Sequence, residues 1–177
     1  MLELIIHGRE IFNESTFEFK VLKNTTLRLE HSLVSVSKWE EKYKKPFLTE
    51  QSKTREETIF YIKCMTINNN VDDDVYNLIT DEHIAEVNEY IADQKTATWF
   101  TDYSNDDSSN GEQVTSELIY YWMICHRIPP EYQKWHLSRL MTLIKICNIK
   151  NSPPKKMSEA ETLQMYKELN AKRRNKG

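Results

Sequence analysis

The apolar residues change period at Ser32, and this switch restricts the possible folds more than any other feature of the chain. Before it, Phe17, Phe19 and Val21 alternate onto one face, Leu27 and Leu29 repeat the pattern, and "LELIIHG" is rich in β-branched and long apolar residues. Side chains two apart share one face of a strand, so this stretch reads as a small antiparallel sheet or hairpin. After Ser32, Leu33, Val36, Trp39 and Tyr43 follow three- and four-residue steps, the spacing of one helix face. The expected fold class is therefore mainly α (α+β). A β element occupies residues 1–31, a helical core residues 32–157, and a C-terminal helix with a basic tail residues 158–177.

Capping and breaking residues divide the helical part. The first helix runs until Pro46, because the residue before proline is pushed out of the helical region. Thr54 with Glu57 forms a capping box for a second helix carrying Ile59, Phe60, Ile62, Cys64 and Met65. "NNNVDDD" is a turn, and residues 74–92 read as helical with a possible new cap at Thr80 or Asp81. The polar, acidic stretch Thr101 to Gln113 has no period and reads as a loop. Thr115 or Ser116 caps a helix expected to reach Ile128, where Pro129 and Pro130 break it. Pro130 suits the first turn of the next helix, expected from Glu131 to about Asn148, since a first-turn N–H lacks a helical partner anyway. A last capping box, Ser158 with Glu161, opens the terminal helix.

The densest cluster of chemically versatile residues is "WMICHRIPPEYQKWH", Trp122 to His136. Zinc takes cysteine and histidine in a tetrahedron, so Cys125, His126, His136 and Cys147 are the ligand candidates. Their spacing argues against a metal site: Cys125 and His126 are adjacent and diverge by roughly 100° on a helix, and the chain has no CxxC or HxxxH pair. A Cys125–His136 nucleophile pair has no supporting local motif. The more economical reading is packing. Ile119, Trp122, Met123 and His126 on one helix, and Tyr132, Trp135, Leu140, Leu143, Ile144 and Cys147 on the next, form stripes with His136 alongside. Two such stripes joined at Pro129–Pro130 make an αα-hairpin, with Trp122, Trp135, His136 and Leu140 as its structural residues.

Composition removes several functional classes. The three glycines, Gly8, Gly111 and Gly177, are far apart, whereas a phosphate cradle needs several close together. P-loop and dinucleotide-binding readings are thus excluded. A hydrophobic fraction of 39% argues against disorder, while 29% charged residues and a mean hydropathy of -0.68 argue against a membrane protein. "MLELIIHGRE" lacks a basic n-region, and its apolar run stops at His7, so neither a signal peptide nor an anchor is expected. Three widely spaced cysteines fit reduced thiols better than a disulfide framework. Charge is uneven: nine Lys/Arg against three acids from Lys145 onward, and 15 against 24 in the rest of the chain. A basic tail on an acidic body can meet nucleic acid or an acidic protein surface, but "NAKRRNKG" also suits the C-terminal dipole of a solvated helix. No catalytic constellation or cofactor motif emerges, so the expectation is a non-enzymatic, intracellular protein without cofactor or metal.

Several of these segments resemble a group of tailed-bacteriophage proteins from the tail gene cluster, the siphophage-type tail assembly chaperones. They are "SLVSVSKWEEKYKKPFL" (32–48), "ETIFYIKCMT" (57–66), "TATWF" (96–100), "TSELIYYWMICHRIPPEYQKWHLSRLMTLIKICNIKNSPPKKMS" (115–158) and "LNAKRR" (169–174). The Trp-His-Leu-x-Arg-Leu block from Trp135 to Leu140 is the most distinctive. The resemblance implies a non-enzymatic protein of the host cytoplasm that binds the tape-measure protein, or another tail protein, and keeps its long amphipathic helix from aggregating. It supplies no catalytic residues. A helix holdase needs an apolar groove with a polar rim, which a helical domain with six methionines and many aromatics can provide. The rival readings are a structural virion protein of the neck or tail and a small nucleic-acid-binding regulator using the basic tail.

Overall fold

The computed structural model describes residues 1–13, 17–98, 100, 113–151, 163, 166 and 167. The expected loop at 101–113 falls outside these except for Gln113, and the Ser158–Glu161 capping box and the tail 171–177 lie wholly outside them. The chain divides into two units, Met1–Ile146 and Cys147–Gly177. The first carries the fold described below. In the second, the described residues 163, 166 and 167 are helical and exposed.

Four strands open the first unit: β1 (Leu2–Ile6), β2 (Glu10–Asn13), β3 (Glu18–Val21) and β4 (Thr25–Leu29). β1 pairs antiparallel with β4, Leu4 opposite Leu27, and β2 pairs antiparallel with β3, Phe12 opposite Phe19. Both ladders keep one register, so the strands make a single ribbon with an interruption around Gly8. At that point the Gly8 N–H donates to Asn24 Oδ1 (2.8 Å), and Leu22 N donates to Arg9 O (3.0 Å). A Cβ on Gly8 would lie 2.0 Å from the Leu22 carbonyl oxygen, which explains the glycine: the two backbones approach too closely for any side chain.

Five α-helices follow among the described residues: α1 (Leu33–Tyr43), α2 (Arg55–Met65), α3 (Asp81–Ala92), α4 (Ser116–Cys125) and α5 (Leu137–Asn151). Four of the starts anticipated from sequence are present. Ser32 caps α1 reciprocally with Ser35, Thr54 caps α2 reciprocally with Glu57, Thr80 caps α3, and Thr115 caps α4. Each satisfies backbone N–H groups that have no partner within the helix. The segment expected to be helical from 74 to 92 is a 3-10 turn, Asp73–Leu78, followed by α3.

The helix α1 is the centre of the unit, packing on α2, on α4 and on the 3-10 segment Pro130–Lys134; α2 in turn meets α3 and β4, and α3 meets β1. Leu4, Ile6, Leu27 and Leu29 form the buried face of the ribbon root. They join Leu33, Val36 and Trp39 of α1, Ile62 and Met65 of α2, Val87 of α3, Ile119 and Met123 of α4, and Leu137, Leu140 and Ile144 in the buried set. Residues after α2 extend the sheet: Ile67 N donates to Arg28 O (2.8 Å), and the Asn68 side chain bonds both Arg28 N and Thr26 O. The mainly helical α+β class thus holds, and among the described residues the β strands are confined to the N-terminal part.

Around Pro129–Pro130 the detail departs from the expected αα-hairpin. The helix before the prolines ends at Cys125 rather than Ile128, because Arg127 adopts a left-handed φ of 54° and Ile128 N turns back to Met123 O (2.8 Å). Pro130 does occupy a first-turn position, but of the short 3-10 segment Pro130–Lys134. The single long helix from Glu131 is divided at Trp135, which is extended (ψ 159°), and at His136, which forms a β-bridge with Ser32. Leu137 N donates to His31 O (2.7 Å), a tertiary bond that no local pattern announces. Trp122 and Trp135 are only half-buried, and the main partner of α4 is α1.

Candidate functional site

Alternation along the ribbon gives Glu10, Phe12, Phe19 and Val21 the same parity as the core residues Leu4, Ile6, Leu27 and Leu29. Beyond Gly8, however, residues of the opposite parity take the inner position. Leu22 is buried, and Lys20 Nζ bonds Asp72 (2.7 Å) and Asp74 (2.6 Å) at the start of the 3-10 turn. These hydrogen bonds raise the Lys20 ammonium above the usual lysine range and hold Asp72 below the usual carboxylate range. The distal ribbon is thereby tethered through its polar face, and its apolar face is turned to solvent.

That face is aromatic. Phe12, Phe17 and Phe19 are 49%, 81% and 71% exposed, and Val21 is 65% exposed. The ring of Phe12 lies 5.2 Å from Phe19 and 6.2 Å edge-on from Phe17, so the three rings form one cluster. Contiguous exposed apolar surface is uncommon on a soluble domain and marks a place where another surface docks. A second apolar exposure, Tyr121 and Ile124, lies on the outer side of α4, a helix apolar nearly all round.

The residues singled out at the proline break serve packing. Trp135 stacks on Tyr132 (centroids 4.0 Å, 14° between planes), and the Arg139 guanidinium covers its ring at 4.3 Å. Leu140 is fully buried. Pro129 and Pro130 start the 3-10 segment, tied to α4 by Tyr120 Oη donating to Gln133 Oε1 (2.9 Å). His136 is buried, its Nδ1 2.8 Å from Ser138 Oγ and its Nε2 donating to Tyr90 O (3.3 Å). Burial holds its pKa below the ordinary histidine value.

Two of the candidate metal ligands, Cys125 and His136, differ in environment. Cys125 is exposed at the end of α4, while His136 is enclosed. All three cysteines are free, and burial pushes Cys64 up to about 11, away from thiolate chemistry. Among the described residues no three His, Cys, Asp or Glu side chains gather closely enough to hold a metal ion. None of the described helices is long and apolar enough to cross a membrane.

The chain matches no family model, no curated protein and no solved structure. The site is therefore read from its own geometry. A hydrophobic, aromatic surface on a tethered ribbon can bury another apolar surface. Sequence alternation placed Phe19 and Val21 together, but neither the outward turn beyond Gly8 nor the Lys20 tether has a local signal.

Proposed function

We propose that the chain is a non-enzymatic tail assembly chaperone of a tailed bacteriophage, acting in the host cytoplasm by binding the tape-measure protein. The exposed Phe12–Phe17–Phe19 cluster carries this reading, because it offers rigid aromatic area at which the apolar stripe of an amphipathic helix can be buried. The family resemblance from Ser32 onward gives the client its identity. Glu10 shares the face of the rings. Such rim charges steer association and set its salt dependence, while the rings contribute most of the affinity.

The test is co-expression with the tape-measure protein. Wild-type chain should raise the soluble fraction of that protein. Phe12→Ser combined with Phe19→Ser should abolish the effect while leaving folding within about 0.5 kcal/mol, as expected for exposed positions. A double variant that still solubilises the client removes the ribbon face from the reading. A wild-type chain that leaves the client insoluble and is retained in purified virions replaces the chaperone with a structural tail or neck protein.

A further inference from the structure

Two of the five histidines sit at helix N-termini that meet inside the unit. His31 immediately precedes Ser32, the cap of α1, and His136 immediately precedes Leu137, the first residue of α5. Their rings are 5.1 Å apart and nearly perpendicular, and both residues are buried. The backbone joins them as well, through the Ser32–His136 bridge and the bond from Leu137 N to His31 O (2.7 Å). Each helix directs the positive end of its dipole at this point, which disfavours a cation on either ring.

At each ring Nδ1 meets a hydroxyl group. Ser35 Oγ donates to Ser32 O (2.7 Å), so the Tyr61 hydroxyl, 2.5 Å from His31 Nδ1 and 3.3 Å from Ser35 Oγ, is shared between the two. At His136, Nε2–H is directed at Tyr90 O, and Nδ1 lies 2.8 Å from Ser138 Oγ. A second proton on each ring would set two cations side by side in a buried space. The surrounding charges do not reverse this. Lys53, preceding α2, faces His31; Lys95 and the N-terminal amino group face His136; and Glu30 of the β4–α1 junction is the acid that favours protonation of His136. That carboxylate is already engaged, accepting from Tyr90 Oη (2.7 Å) and pairing with the Met1 amino group (3.1 Å).

We propose that the His31–His136 pair is an acid-sensitive latch: protonation parts the Ser32–His136 bridge and frees the start of α5 from the N-terminus of α1, while the α1–α2 pair stays folded. The sign follows from linkage. Both rings are held below their ordinary pKa in the closed form, His31 at about 3, first by desolvation and then by the neighbouring His136. The latch is therefore intact above the free histidine pKa of about 6.5, and opening gains protons progressively as pH falls below it.

The test is amide hydrogen exchange of the full chain between pH 7 and pH 4.5, expressed as protection factors for Leu137 and for Ile62 in the buried interior of α2. Below about pH 6.5, Leu137 protection should fall about tenfold per pH unit for one histidine and up to about a hundredfold for the pair, while Ile62 stays protected. His31→Asn combined with His136→Asn should flatten the response of Leu137 if that variant folds; a folded double variant with the wild-type response overturns the proposal. Should the variant not fold, the wild-type comparison decides. Leu137 protection that is independent of pH, or that falls together with Ile62, overturns the latch.

Discussion

Glu40 offers a stringent test of how the unit is held together. Its side chain is buried on α1, and its two carboxylate oxygens accept separate backbone N–H groups: Oε1 from Phe47 (2.8 Å) and Oε2 from Ser116 (2.8 Å). One carboxylate thus fixes the chain reversal after α1 and the first residue of α4, which are 69 positions apart in sequence. Glu40→Ala leaves two buried donors without a partner, at about 1–3 kcal/mol each. It also removes a negative charge from the N-terminus of α4, worth about 0.3–1 kcal/mol. The expected loss is about 3–5 kcal/mol in urea-induced unfolding, read as a lower midpoint with an unchanged slope. Glu40→Gln keeps the volume and one acceptor oxygen, and should lose roughly half as much. A loss below about 1 kcal/mol for Ala, or equal losses for Ala and Gln, would refute the two-bond argument.

Two further perturbations address the ribbon and the proline break. Gly8→Ala forces a Cβ against the Leu22 carbonyl and should destabilise by about 1–3 kcal/mol while shifting the amide resonances of β2 and β3 more than those of α2; unaltered β2 and β3 shifts would show that the crossing is looser than described. Trp135→Ala removes a half-buried stack with Tyr132 and Arg139 rather than a core anchor, so the loss in thermal or urea melts should be about 1–2 kcal/mol, below the 3–5 kcal/mol typical of a buried tryptophan. A loss at the upper figure would restore Trp135 to the role of wedge between helices.

The ribbon shows where sequence reading stopped. Phe19 and Val21 share a face because strand side chains alternate, and that much follows from the residues alone, whereas Phe17, expected to continue the alternation, lies in the turn before β3 with a left-handed φ of 54° and meets Phe12 from there. Which way the face points depends on a backbone crossing at Gly8 and on Lys20 finding Asp72 and Asp74, more than fifty residues later. The same division runs through the helices. Thr54, and the pairs Thr80 or Asp81 and Thr115 or Ser116, announce their helices because a cap bonds N–H groups two or three residues away, within reach of any local pattern. His136 interrupts an otherwise acceptable helical run because it pairs with Ser32 and because Leu137 N bonds His31 O, partners about a hundred residues distant. The sequence by itself therefore determined the period switch, the caps and the breaks, all set by neighbours along the chain. Tertiary structure alone decided that α1 is the hub, that the aromatic face is outside and that two histidines meet, since each depends on bonds whose two ends are brought together only when the whole unit closes.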